Sequence, residues 1–314
     1  MEYSTPEDNL VSPVVALLIV NDLGILPNIV IKSILRATSS PVIVGYVNEF
    51  DVKNLPKDQR IQLINLNDSF LDLDLKIRDR KYESWDDDSF FSLVQLKWHL
   101  LKTVLRKFPN RHLIYSDIDV LWIKDATSFV NDCLSTFKKV DFMIQNYTTN
   151  PMQPRLCMGF LALRNSPSSL EVIDKCSLLH RDMLATNPRT GDDDVITAYF
   201  NSSDEPEKFL HLPQSTFPVG NLANLYSRRM LYPGLIPEAP FIFHANHVVG
   251  IQRKIELIYV FSRQQVNSSP LFSSGKRVFL ALWISLRFVN YYARKSLRLF
   301  KISSLKSRIS KILS

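Results

Sequence analysis

Two aspartates separated by one apolar residue, Asp117-Ile118-Asp119, stand inside the run Tyr115–Trp122 (YSDIDVLW). Side-by-side carboxylates repel, and each raises the other's pKa unless a cation lies between them. An oxygen pair of this kind suits a hard divalent ion such as Mg²⁺ or Mn²⁺, which commonly also holds substrate phosphates. A second constellation lies far downstream: His244-Ala245-Asn246-His247, then Gly250, Arg253 and Lys254. A neutral imidazole can complete a coordination shell begun by carboxylates, while Lys or Arg can neutralise a phosphate. A third group, Asp192-Asp193-Asp194 after Thr190-Gly191, reads equally well as the acidic start of a helix or as part of a site. Asp86-Asp87-Asp88 reads as the acidic cap of the helix that follows.

Regular elements must bring these residues together. His112–Tyr115 is short, apolar and preceded by Pro109-Asn110, which predicts a buried parallel strand. Extended backbone continuing past it would turn Asp117 and Asp119 to one side and Ile118 to the other. Val14–Val20 (VVALLIV) reads as the first strand, Leu26–Ala37 as an amphipathic helix, Pro41–Val47 as a second strand and Ile61–Ile64 as a third. Phe90–Phe108 is expected to be the longest helix of the body, feeding the strand before Asp117, and Phe241–Phe243 leads as a strand into His244. Strand, helix and strand in this order open an α/β doubly wound sheet, in which ligands bind beyond the carboxyl ends of the strands.

Composition removes several function classes. The eight glycines are nowhere close enough for a G-x-G-x-x-G or a Walker loop. A diphosphate would therefore be held by a metal and basic side chains, which argues against a dinucleotide or ATP enzyme. Cys133, Cys157 and Cys176 form no C-x-x-C pair, so buried thiols are expected rather than zinc or disulfides. Eleven of the 38 basic residues follow Glu256, the last acid, which leaves 27 against 31 acids in residues 1–256. The net charge of +7 thus belongs to the C-terminal end, and a mildly acidic body is not expected to bind nucleic acid. With 46% hydrophobic residues, the 314-residue chain is divided into a catalytic domain over 1–262 and a basic amphipathic tail over 263–314. In that tail, Val278–Ala293 is apolar and aromatic, and Leu305, Ile309 and Ile312 recur among cations at helical spacing. This pattern suits an anionic membrane surface, and the chain is expected in the cytoplasm, peripheral at the inner face of the membrane. The acidic N-terminus is not read as a signal segment, nor any run as a bilayer span.

The chain resembles the nucleotide-diphospho-sugar transferases of the GT-A fold, most nearly the group that includes plant glycosyltransferase family 77 and more loosely family 8. The resemblance runs over about residues 12–260 and rests on Leu96-Lys97-Trp98, YSDIDVLWIKD, Met158–Arg164, Gly191–Asp194, Phe217–Gly220, and His244-Ala245-Asn246 with Gly250 and Lys254. It implies a Rossmann-like, mixed and mostly parallel sheet flanked by helices. It also implies transfer of a sugar, with retention, from a nucleotide-diphosphate donor, a UDP-sugar in the first instance, to a glycan or glycolipid acceptor. Asp117 and Asp119 would hold Mn²⁺ (or Mg²⁺), with His244 as third ligand and His247 as alternate. Lys97, Gly250 and Lys254 would contact the donor, and Asp192, Asp193 and Lys254 would serve the chemistry. Family 8 reads D-Q-x-x-x-N where this chain has Asp192-Asp193-Asp194-Val195-Ile196-Thr197, and Cys157-Met158 replace a usual Asn-Ser or Asn-Thr. The rival readings are an inactive scaffold of the same fold and a metal-dependent phosphohydrolase.

Overall fold

The computed structural model describes residues 11–20, 23–47, 52–67, 88–148, 154–219, 240–246 and 250–266. The first strand, β1 (Val14–Ile19), is buried at all six positions, as an unbroken apolar run requires when both faces of a sheet are covered. Gly24, at φ +59, turns the chain into α1 (Leu26–Ala37), which has Pro27 in its first turn and buries Leu26, Ile29, Val30 and Ile34. β2 (Val42–Tyr46) and β3 (Ile61–Asn65) follow in parallel register.

Two helices, α2 (Asp88–Leu93) and α3 (Leu96–Lys107), occupy the stretch expected to be one helix. A tight turn separates them, with the Lys97 and Trp98 N–H groups bonding back three residues to Val94 and Gln95. Leu93, Val94 and Leu96 are all buried, whereas a straight helix would point them in different directions. The longest described helix is instead α5 (Pro167–Thr186), of 20 residues.

The rest of the body consists of β4 (Leu113–Ser116), β5 (Val120–Trp122), α4 (Ala126–Thr136), β6 (Phe142–Asn146), β7 (Leu156–Leu163), α6 (Asp192–Ser202), β8 (Phe209–His211), β9 (Ile242–His244) and α7 (Ile251–Val266). Seven strands form one sheet in the order β3-β2-β1-β4-β7-β6-β8. Four neighbouring pairs are parallel, while β7 runs antiparallel to both β4 and β6. The fold is therefore α/β with a mixed, mostly parallel sheet flanked by helices, as the sequence implied.

Two irregularities build the site. β4 ends at Ser116, and the chain turns over residues 117–119, with the Val120 N–H donating to the Asp117 carbonyl at 3.1 Å. The extended Asp-Ile-Asp geometry expected from alternation does not occur, because β5 leaves the main sheet to pair antiparallel with β9, Val120 opposite His244. The second irregularity lies in β7. Its register with β6 jumps from Ile144–Leu161 to Gln145–Cys157, so Met158, Gly159 and Phe160 have no β6 partner. Phe160 pairs with Ser116 of β4 instead, and the Gly159 carbonyl accepts the Asp117 N–H at 2.7 Å.

No described helix is long and apolar enough to cross a membrane. The sequence boundary at residue 262 falls within α7, which continues to Val266. Most of the tail, residues 267–314, lies outside the described residues, as do His247, Asp86 and Asp87.

Candidate active site

Asp117, Asp119 and His244 come together at the carboxyl end of the sheet. One ligating atom from each lies within 4.8 Å of the others, a donor set of two oxygens and one nitrogen suited to a divalent ion. The β5–β9 pairing positions them: it sets His244 opposite Val120, and the Ala245 N–H donates to the Asp119 carbonyl at 3.0 Å. The His244 Nε2 stands 3.3 Å from Asp119 Oδ1, while Nδ1 lies 3.1 Å from Gln145 Oε1. The ring occupies space that only glycine leaves open, since a Cβ on Gly159 would lie 2.0 Å from His244 Cε1.

Lys254, one turn into α7, donates to the other Asp119 oxygen at 2.6 Å. Asp119 is 6% exposed. Burial by itself would raise its pKa, but the Lys254 ammonium and the His244 imidazole outweigh it and hold the carboxyl well below its ordinary range. Asp117 is more open and accepts the Tyr115 O–H at 2.8 Å. Its backbone turn also brings Ile118 to the cavity wall, beside the two carboxylates.

Lys97 connects this group to the acidic start of α6. Its ammonium lies 3.2 Å from Asp117 Oδ1, is salt-bridged to Asp192, and sits 4.7 Å from the centre of the Tyr115 ring. Burial would lower its pKa, yet Asp117 and Asp192 together hold it well above the ordinary lysine value. Among the described residues Asp193 has no cationic bond of its own: Oδ1 accepts the Met158 N–H at 2.6 Å, and Oδ2 accepts the Tyr147 O–H at 2.9 Å. Burial first, then the charge of Asp192, push its pKa up to about 7 against the Met158 hydrogen bond, the nearby Lys97 charge and the Tyr147 hydrogen bond. Asp194 performs the capping role, accepting the Gly191 N–H at 3.1 Å. The acidic triplet is thus both a helix start and a cavity wall.

One cavity is lined by Lys97, Asp117, Asp119, Asp192, Asp193 and His244, and also by Gly250 and Lys254. The site residues expected from sequence therefore converge, apart from His247, which is not described. Gly250 stands at φ +98 just before α7, a conformation that favours glycine. Arg253 is exposed and is not part of the cavity wall. The lining also includes the apolar side chains of Leu18, Val20, Leu26 and Val94.

Sequence reasoning did not identify Gln145 or Tyr147. Their signal was a polar run, Gln145-Asn146-Tyr147, closing an otherwise apolar buried strand, the same pattern that marks Asp117 after β4. Cys157 and Cys176 are the expected buried thiols, and Cys133 is partly exposed. Cys157 lines the cavity 4.0 Å from His244 Nδ1, and burial raises its pKa so that it stays a thiol.

A sequence profile of the nucleotide-diphospho-sugar transferases matches residues 58–258. No curated protein matches significantly. Among solved structures the chain is similar to mouse xyloside xylosyltransferase 1 in its apo form, with 15% identity, TM-score 0.45, and 75% of this chain and 98% of that one covered. It is also similar to a glycosyltransferase involved in glycosylation of the major capsid of PBCV-1, with 11% identity, TM-score 0.47, and coverage of 79% and 100%. The glycosyltransferase GlyE of Streptococcus pneumoniae TIGR4 shares 12% identity at TM-score 0.45, over 82% of this chain and 62% of its own.

Proposed function

This chain belongs to the nucleotide-diphospho-sugar transferases, and from that premise we propose that it is a metal-dependent glycosyltransferase using a UDP-sugar and retaining anomeric configuration. The acceptor in this reading is a glycan or glycolipid. The observation that carries it is the convergence of Asp117, Asp119 and His244 in a cavity also lined by Lys97, Lys254, Asp192 and Asp193.

The donor set fits Mn²⁺ or Mg²⁺, and the room that Gly159 leaves for the His244 imidazole supports this residue as the third ligand. Such an ion, when bound, offsets the negative charge of a nucleoside diphosphate. The chain's own residues do the rest. Lys254, held at the rim by Asp119, supplies positive charge to the departing diphosphate, where charge grows most in the transition state. Lys97, fixed between two carboxylates, contacts the donor and keeps Asp117 oriented. Asp192 and Asp193 present acceptor oxygens to the hydroxyls of the transferred sugar, and Gly250 lets the backbone approach the donor closely.

The tail attaches the enzyme to an anionic membrane in this reading, since eleven cations and no acid follow Glu256. Co-sedimentation with anionic vesicles tests it, and equal pelleting of full-length and tail-truncated protein would refute it.

The test of function follows release of nucleoside diphosphate from a panel of nucleotide sugars with Mn²⁺. UDP with Mn²⁺ should raise the melting temperature, and Asp119→Asn should lose both the shift and the turnover. No stabilisation by any nucleoside diphosphate, or full turnover by Asp119→Asn, would sink the assignment.

A further inference from the structure

Side chains around the cavity form a closed ring made of three arcs. In the first, Asp117 meets Lys97, and Lys97 meets Asp192. In the second, Asp193 accepts from the Tyr147 hydroxyl at 2.9 Å, and that hydroxyl accepts from Asn246 Nδ2 at 3.0 Å. The third joins His244 to Asp119 at 3.3 Å. The arcs connect through short pieces of backbone: Asp192 to Asp193, Asn246 back to His244, and Asp119 back to Asp117. Of the links, the one made by Tyr147 is neutral.

We infer that Tyr147 is a positioning residue for transfer, holding Asp193 against the segment that carries His244. The inference rests on the sugar-transfer reading of this cavity. Tyr147 follows β6 directly, and its backbone N–H is fixed to the Arg155 carbonyl at 2.8 Å. Its ring lies under the Arg155 guanidinium, 5.5 Å from the centroid, so the hydroxyl has little freedom to swing. Both Asp193 oxygens are thereby held by protein donors, Met158 N–H and Tyr147 O–H, and the carboxyl cannot rotate to follow a moving substrate. Fixed orientation of this kind raises the rate of the chemical step, because small displacements from productive geometry cost large factors. Removing the hydroxyl frees one Asp193 oxygen and leaves the Asn246 donor without this acceptor, while the carboxylates and imidazole of the metal-binding group are untouched.

The test combines Tyr147→Phe, Asp193→Ala, which removes the acceptor altogether, and the double variant in the full chain. Thermal melts read the link with no assumption about activity: the double variant should lose less stability than the two single losses added, because the second change removes a bond already broken. Turnover with a nucleotide sugar should fall about tenfold or more in Tyr147→Phe, while affinity for the nucleoside diphosphate, which lacks the sugar, stays within about twofold of wild type. Additive melting losses overturn the inference. So does wild-type turnover, and so does an equal fall in turnover and nucleoside diphosphate affinity. A wild type that binds no nucleoside diphosphate overturns the transfer reading along with it, whereas additivity in an active enzyme overturns this inference by itself.

Discussion

Asp117 and Asp119 follow a strand, Asp192 and Asp193 open a helix, and the two pairs are neutralised by different means across one cavity. At the strand end, Asp119 is paired with Lys254 and His244 and stays ionised although buried. At the helix start, Asp192 takes the shared Lys97, but among the described residues Asp193 has only the neutral donors Met158 N–H and Tyr147 O–H. Asp119 keeps its negative charge and, with the Asp117 and His244 ligating atoms close by, offers a place for a cation. Asp193, its pKa raised to about 7, presents hydrogen-bonding oxygens, which suits hydroxyl groups. In the proposed reading the same residue type serves two tasks because its neighbours differ, and Lys97 is the one side chain bonded to both pairs among the described residues.

The strongest way to break this contrast is Lys97→Met. Losing one partner from a buried ion pair costs about 3–5 kcal/mol, because the remaining charge is left uncompensated. For a domain of this size each kcal/mol lowers the melting temperature by about 2–4 °C. A variant melting like the wild type would show that Asp117 and Asp192 do not depend on this lysine.

Gly159→Ala attacks the strand-end pair without touching a charge. Its Cβ would overlap His244 Cε1, so the imidazole must leave Asp119, with an overpacking cost of about 1–3 kcal/mol. Stabilisation by UDP with Mn²⁺ should disappear, and adding His244→Ala should recover the lost melting temperature but not the Mn²⁺ response. If the double variant melts no higher than Gly159→Ala, the contact is not what glycine protects.

Asp193→Asn sharpens the contrast at the helix start through pH. In the unfolded chain an aspartate titrates near pH 4, whereas burial and the charge of Asp192 raise Asp193 to about 7 in the fold. Between those values the folded state binds a proton that the unfolded state has released, so stability falls as pH rises. The amide introduced by Asp193→Asn does not titrate. The melting temperature of Asp193→Asn relative to wild type should therefore climb from pH 5 to pH 8, and a flat difference would remove the raised pKa.

Much of this arrangement was legible because local pattern and chemistry agreed. The apolar run Val14–Ile19 and the spacing within Leu26–Ala37 point to elements that the structure keeps almost residue for residue. Asp117, Asp119 and His244 stood out by type and by their place after strands. What escaped depended on contacts between distant segments. The break between α2 and α3, which swings Lys97 inward, answers to burial on two sides and not to helical period. The turn at Asp117–Asp119 follows from the pairing of β5 with β9, more than a hundred residues apart. Tyr147 gained its role only when the β6–β7 register shift set Met158 and Asp193 beside it, which no spacing in the chain announces.

That register shift has a metric consequence. Met158 grips Asp193 through its N–H, and the next residue, Gly159, grips the Asp117 N–H through its carbonyl. Neighbouring Cα atoms lie about 3.8 Å apart in any trans chain. One peptide step of β7 thus joins the anchor of the Asp193 carboxyl to the anchor of the Asp117 backbone, while Lys97 ties the Asp117 and Asp192 side chains across the same gap. Exchanging side chains along the cavity wall would reshape what the space accepts, whereas adding or removing a residue at the irregularity of β7 would shift the Asp193 anchor against the Asp117 anchor.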